Sequence, residues 1–233
     1  DACVEAGGGT VLVPPGDYTT GTIVLKSNVE LHLQAGSTIW ASQREEDFHT
    51  DFPIYKNNRT GDKSEGLSNV LIYAKEAKKI GITGMGVIHG QARRTFGPLR
   101  EVDGFIEDET ENARLSGVPL ERWYKEAPVS TLVFLEACED ISVRDVRLIE
   151  SSSWTLHFKW CNRVQIRGIF LQSSLESGVN ADGIDIDGCS NVTVSDCIIE
   201  TGDDAIVLKT TTTFGKSMPC ENIVVSNCVL TST

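Results

Sequence analysis

Cys189-Ser190-Asn191-Val192-Thr193-Val194, followed by Asp196-Cys197-Ile198-Ile199, is one copy of a pattern that recurs along the chain. Other copies are Cys138-Glu139-Asp140-Ile141-Ser142-Val143, Cys161-Asn162-Arg163-Val164-Gln165-Ile166 and Cys220-Glu221-Asn222-Ile223-Val224-Val225, at steps of 23, 28 and 31 residues. Their continuations are Asp145-Val146-Arg147-Leu148, Gly168-Ile169-Phe170-Leu171 and Asn227-Cys228-Val229-Leu230, and earlier echoes are Lys79-Ile80-Gly81-Ile82 and Asn28-Val29-Glu30-Leu31-His32-Leu33. The apolar residues alternate with period two, which is the strand signature. Short strands and polar turns repeating at this interval, with no long amphipathic helix between them, predict a solenoid. Variable steps fit coils whose strands are constant and whose loops vary. The expected fold is therefore all-β, a parallel β-helix with coils stacked about 4.8 Å apart. Cys138, Cys161, Cys189 and Cys220 then form one inward column, and Cys197 and Cys228 part of another. Core packing is the simplest role for these thiols, ahead of disulfides or metal ligation.

The whole chain, residues 1–233, reads as a single β-helix domain. Residues 91–127 break the rhythm with many charges and are expected to leave the solenoid as a loop excursion, a place where binding faces are often built. Asp1-Ala2-Cys3-Val4-Glu5-Ala6, stopped by Gly7-Gly8-Gly9, reads as the end of a helix, so the chain is expected to be a piece of a longer one. A net charge of −12 argues against nucleic-acid binding. No apolar run approaches the roughly 20 residues that span a bilayer. A monomer is expected.

Two acidic segments stand out: Asn180-Ala181-Asp182-Gly183 before Ile184-Asp185-Ile186-Asp187, and Gly202-Asp203-Asp204-Ala205 before Ile206-Val207-Leu208-Lys209. Anchoring the repeats on Cys161 and Cys189 sets Trp154 beside Asp182, His157 beside Asp185 and Lys159 beside Asp187. The next coil adds Asp204, Val207 and Lys209 at the same stations. Leu156-Ile184-Ile206 and Phe158-Ile186-Leu208 become inward columns, while His157-Asp185-Val207 and Lys159-Asp187-Lys209 point outward. Asp182, Asp203 and Asp204 would then share one small surface. Strict alternation gives Asp182 and Asp204 inward parity, and ionised carboxylates in an apolar core cost several kcal/mol each, on the order given for buried ions. A bend or bulge at Gly183 and Ala205 is therefore expected, with both carboxylates facing solvent at the mouth of a groove. Mutual repulsion should raise at least one pKa, so that a protonated acid stands beside an ionised base. That pairing suits glycosidic hydrolysis; a calcium site and a solvated acidic turn are the alternatives.

Ser153-Trp154-Thr155-Leu156-His157, Asn180-Ala181-Asp182-Gly183-Ile184-Asp185 and Thr201-Gly202-Asp203-Asp204-Ala205-Ile206 resemble the polygalacturonase family of pectin-degrading glycoside hydrolases, most closely its bacterial and plant exo-acting branch. Gly7-Gly8-Gly9-Thr10-Val11-Leu12-Val13-Pro14-Pro15-Gly16 and Gly84-Met85-Gly86-Val87-Ile88-His89-Gly90 are similar to that family too. The resemblance implies a right-handed parallel β-helix that is secreted or periplasmic and acts on pectic polysaccharide or an oligogalacturonide. It implies Asp203 as general acid, Asp182 and Asp204 as the pair that activates water with inversion, Asn180 as an orienting residue, and no metal or other cofactor. It also implies a Gly-His-Gly segment one coil later and an Arg-x-Lys segment beyond that. Neither is present, so both are expected to follow Thr233, and the fragment alone is expected to be incomplete. Ala181 stands where Thr is commoner.

For the remaining candidates two readings stand side by side. Lys209 recognises a uronate carboxylate, or it forms a cross-strand ion pair worth little at the surface. His157 lines a sugar subsite or is a simple surface histidine. Trp154 stacks on a sugar ring or caps the core; Trp123 and Tyr124 could add a sugar platform from the excursion. The rival functions are a calcium-dependent, pectate-lyase-like eliminase and a non-catalytic carbohydrate-binding β-helix.

Overall fold

The computed structural model describes residues 1–49, 69–98, 111–112, 114–117, 123–125, 130–178, 180–212 and 215–232. Three parallel sheets, of seven, seven and six strands, stack coil on coil. One complete coil runs Ile184–Asp187, Ser190–Ser195, Ile198–Thr201, one strand in each sheet. Every partner of these three strands lies one repeat before or after, and all pairings are parallel. This is the parallel β-helix that the repeat predicts.

The register makes columns of like side chains. Ile80, Ile141, Val164, Val192 and Ile223 align in one sheet. Ile39, Ile88, Leu148, Leu171, Ile199 and Leu230 align in another. β-Branched side chains pack well on such pleated, inward surfaces. All belong to one continuous apolar core or pack against it, except Leu230, which is exposed. Cys138, Cys161 and Cys189 are buried in it as free thiols. Cys161, Cys189 and Cys220 each donate Sγ–H to a carbonyl of the coil before, Leu135 O, Phe158 O and Ile186 O, at 3.2 Å. The thiol is thus the small apolar group that also satisfies a carbonyl at the corner.

The third residue of each repeat has a structural reason that the pattern alone does not reveal. Asp140, Arg163, Asn191 and Asn222 all sit at φ 56°. Asn and Asp tolerate this left-handed conformation better than other non-glycine residues. Asn222 Nδ2 donates to Asn191 Oδ1 at 3.1 Å, and Asn191 Nδ2 to Asn162 Oδ1 at 2.8 Å, which begins a polar ladder beside the apolar ones.

A short helix, Ala2–Glu5, precedes the first strand. Within 91–127, Phe96–Pro98 pairs antiparallel with Trp123–Lys125, apart from the three stacked sheets. Much of the rest of that stretch lies outside the described residues, as do the surroundings of the Trp123 and Tyr124 side chains. Among the described residues no helix is long and apolar enough to cross a membrane.

Candidate active site

The six-stranded sheet carries the candidate site. Its strands are Ile23–Val24, Asn69–Lys75, Ser130–Glu136, Leu156–Lys159, Ile184–Asp187 and Ile206–Lys209. The last three pair at the stations the cysteine anchor predicts: His157 with Asp185, Lys159 with Asp187, then Asp185 with Val207 and Asp187 with Lys209. Asp182, Asp203 and Asp204 occupy the turns that lead into these strands. One oxygen from each carboxylate lies within 4.8 Å of the others. Asn180 sits on the same turn, exposed, at φ 50°.

The expected bends are present at Gly183 and Ala205, with a third at Thr155 in the preceding coil. There is no bulge. Leu156 N donates to Gly183 O at 2.9 Å, Gly183 N to Asp204 O at 2.8 Å and Ile184 N to Ala205 O at 3.1 Å, so the ladder runs unbroken into the turns. Stacked bends turn the side chains without losing backbone hydrogen bonds. They also bring the coils very close. A Cβ on Gly183 would lie 2.4 Å from Ala205 O, and one on Gly202 would lie 2.0 Å from Ser174 O. Gly202→Ala should therefore force the Asp203 turn outward, lowering stability by about 1–3 kcal/mol as overpacking does. Chemical denaturation checks this, and an unchanged midpoint would mean the turn has room to yield.

The expectation that Asp182 faces solvent is not met. It is only 3% exposed, whereas Asp204 is exposed and Asp203 half-buried. The outward columns are not at the surface either. His157, Lys159, Asp185 and Asp187 are all buried. The physical reason is a second layer. The Phe134 ring stacks on His157 at 4.6 Å, Trp154 meets His157 edge-on at 4.8 Å, and Val70, Tyr73 and Phe134 form a separate apolar cluster on this face. Thr211 closes over Asp187, donating both its backbone N–H (2.9 Å) and its hydroxyl to that carboxylate.

Beneath this layer runs a column of alternating charge: Lys75, Glu136, Lys159, Asp187, Lys209. Lys75 Nζ is 3.2 Å from Glu136, and Lys159 Nζ donates to Asp187 Oδ2 at 2.6 Å. Such a pair is not the weak surface contact expected for these residues, because neither side chain is solvated. Burial alone would raise the Asp187 pKa, but His157, Lys159 and Thr211 more than offset it and hold it far below the usual carboxylate range. Burial pushes the His157 pKa down despite Asp187 nearby, so the ring is neutral. Glu136, Asp185 and Thr211 went unnoticed in the sequence as members of this network. Alternating sign at one strand station was the available signal for Glu136.

With Asp187 already satisfied, Lys209 does not bond its register partner. Its Nζ lies 2.8 Å from Asp182 Oδ2 and 2.7 Å from Asp185 Oδ1, over the Trp154 ring at 3.7 Å from the centroid. Burial would lower its pKa, but Asp185 and Asp182 raise it, so it stays charged. Asp185 is fully buried. Burial first, then the Asp182 charge, pushes its pKa well up, against the opposing pull of Lys209. Burial and Asp182 likewise raise the Asp203 pKa. The turn cluster thus sets a carboxylate paired to a cation beside a carboxyl that favours its proton. The Lys209 ammonium is thus held by Asp182, Asp185 and one face of the half-buried Trp154 ring, and His157 is buried.

Comparison with known proteins gives a consistent result. A sequence model of glycosyl hydrolases family 28 matches residues 3–232. A probable polygalacturonase of Vitis vinifera is 29% identical over 206 residues, which is 87% of this chain and 37% of that protein. An exo-poly-alpha-D-galacturonosidase of Dickeya chrysanthemi is 24% identical over 88% of this chain and 37% of its own length. The crystal structure of an exopolygalacturonase from Thermotoga maritima superposes with a TM-score of 0.72 at 28% identity, over 99% of this chain and 54% of that one. The chain spans 37% of the length of these two curated relatives. The family match runs through every coil and both acidic turns, and on that ground the chain belongs to glycosyl hydrolases family 28.

Proposed function

We propose that the protein hydrolyses glycosidic bonds of a pectic polysaccharide such as polygalacturonate, by acid–base catalysis at Asp182, Asp203 and Asp204. The observation that carries the reading is the convergence of these three carboxylates on one turn surface, where burial and the Asp182 charge raise the Asp203 pKa. Asp203 keeps its proton and gives it to the leaving glycosidic oxygen. Asp182, held by Lys209, and exposed Asp204 take the proton of an attacking water. Asn180 orients the substrate beside them. The relatives named for polygalacturonate cleavage support the substrate class, and a polymeric cell-wall substrate calls for action outside the cytosol, secreted or periplasmic.

Water attack gives inversion. The closeness of the carboxylates is the observation that favours a second reading, retention, because a nucleophile and its acid stand about 5–5.5 Å apart and inverting pairs usually farther. Nuclear magnetic resonance of the first sugar formed decides: the anomer opposite to the substrate's is expected, and the same anomer would make Asp182 or Asp204 a nucleophile. Reducing ends should appear from polygalacturonate in the presence of EDTA, with no unsaturated product. Loss of activity in EDTA with unsaturated product would instead establish the calcium-dependent eliminase, and binding without cleavage the non-catalytic module.

A further inference from the structure

We propose that Lys209 is a positioning residue for the general base rather than a contact to the substrate: its ammonium clamps Asp182 Oδ2, with Asp185 beneath and Trp154 behind, and so fixes the orientation of that carboxylate. The inference rests on the hydrolase reading above.

Four observations carry it. Lys209 is drawn away from its register partner, because Asp187 is filled by Lys159 and Thr211. Its ammonium is within 2.8 Å of Asp182 Oδ2, while Asp182 Oδ1 is buried and has no hydrogen-bond partner among the described residues. The Trp154 face fixes the ammonium from the other side, a cation–π contact at 3.7 Å. The Lys209 side chain is 19% exposed, so little of it is left to meet a substrate carboxylate.

The charges that face Asp182 come from each packed element. Asp185 and Asp187 lie on the strand that Asp182 leads into, His157 and Lys159 on the strand of the coil before, Lys209 on that of the coil after, and Asp203 and Asp204 on the next turn. Only Lys209 supplies a cation in direct contact with Asp182 among the described residues. Lys159 is held by Asp187, and His157 is neutral. Without the ammonium, no described cation would hold Asp182 Oδ2, and the base would lose its fixed orientation toward the reacting atoms.

The test is the split between kcat and KM for the complete protein and its Lys209→Met and Lys209→Arg variants on polygalacturonate. Lys209→Met should lower kcat by about 10²-fold or more, the scale of losing a general base. KM should stay within a few-fold. Lys209→Arg keeps the charge and should recover part of that loss, short of wild type because the clamp geometry is altered. A raised KM with unchanged kcat, in either variant, would overturn the clamp and return Lys209 to substrate binding. If Lys209→Met does not fold, the arginine variant decides alone by the same split. If wild-type protein shows no hydrolysis, the hydrolase reading fails first and the clamp with it; if wild type is active and Asp203→Asn is dead, a failed Lys209 prediction counts against the clamp only.

Discussion

Asp203→Asn in the complete protein is expected to reduce hydrolysis by about 10²–10⁴-fold, the usual contribution of a general acid, without loss of stability. Asparagine matches aspartate in shape. Its Oδ1 can still accept the Asp204 backbone N–H that Asp203 Oδ1 accepts at 2.9 Å, and the Thr201 hydroxyl still reaches the backbone carbonyl at 2.7 Å. The change removes only the transferable proton. Burial and then the Asp182 charge raise the Asp203 pKa in the folded state. An acid whose folded pKa exceeds its unfolded one favours folding below the unfolded value and loses that contribution as pH rises through the folded value. The variant lacks this handicap, so its stability at neutral pH should equal or exceed that of wild type. The same shift fixes the alkaline limb of activity: turnover should fall as pH rises through the raised Asp203 pKa. Steady-state assays and thermal unfolding across pH check both halves. Turnover like wild type would remove Asp203 from the acid's role, and a large loss of stability would make it a structural residue.

Lys159→Met is expected to destabilise the fold by about 3–5 kcal/mol, the range for breaking a buried ion pair from one side. Lys159 and Asp187 are 1% and 0% exposed and 2.6 Å apart, so removal of the cation strands a carboxylate inside the second layer. Removing both charges in Lys159→Met/Asp187→Leu should be much less harmful than the single change, because no lone charge is left behind. The pH dependence has a defined sign. The Asp187 folded pKa lies below its unfolded value of about 3.9, so its contribution is present above that value and is lost as pH falls toward the folded one. The stability difference between wild type and Asp187→Asn should accordingly shrink on acidification. Asp185 works the other way: its raised pKa makes stability fall as pH rises through it. Denaturant titrations at several pH values measure these differences. A single variant as stable as wild type would mean that this face is wetter than its burial indicates.

Legibility differed sharply between the two levels of the molecule. The columns Leu156-Ile184-Ile206 and Phe158-Ile186-Leu208, the pairing of His157 with Asp185 and of Asp187 with Lys209, and the meeting of Asp182, Asp203 and Asp204 all follow from aligning the residues before Cys161 and Cys189. Leu208, expected to point inward, is exposed on the last strand of its sheet. Such an alignment succeeds because a coil's neighbour in space is the next repeat in sequence. The bends at Gly183 and Ala205 were legible from the parity conflict, since a buried unpaired carboxylate is costly. The burial of Asp182, His157 and the Lys159–Asp187 pair was not legible. Outward parity was equated with solvent, and on this sheet it means a second, aromatic and charged layer.

Sequence by itself determined the coil, its register and the gathering of the acidic turns, because period-two alternation and a recurring cysteine followed by Ile or Val three and five residues later are one-dimensional signals that stacking turns directly into columns. Only the tertiary structure decided which of those columns is wet, which carboxylate is paired and where the Lys209 ammonium points. Those outcomes depend on the Phe134 ring stacking on its register partner His157, and on the Trp154 ring and the Thr211 backbone closing in from turns outside the repeated strands. Desolvation is set by whatever lies within a few ångströms in space, and no periodicity in the chain records that.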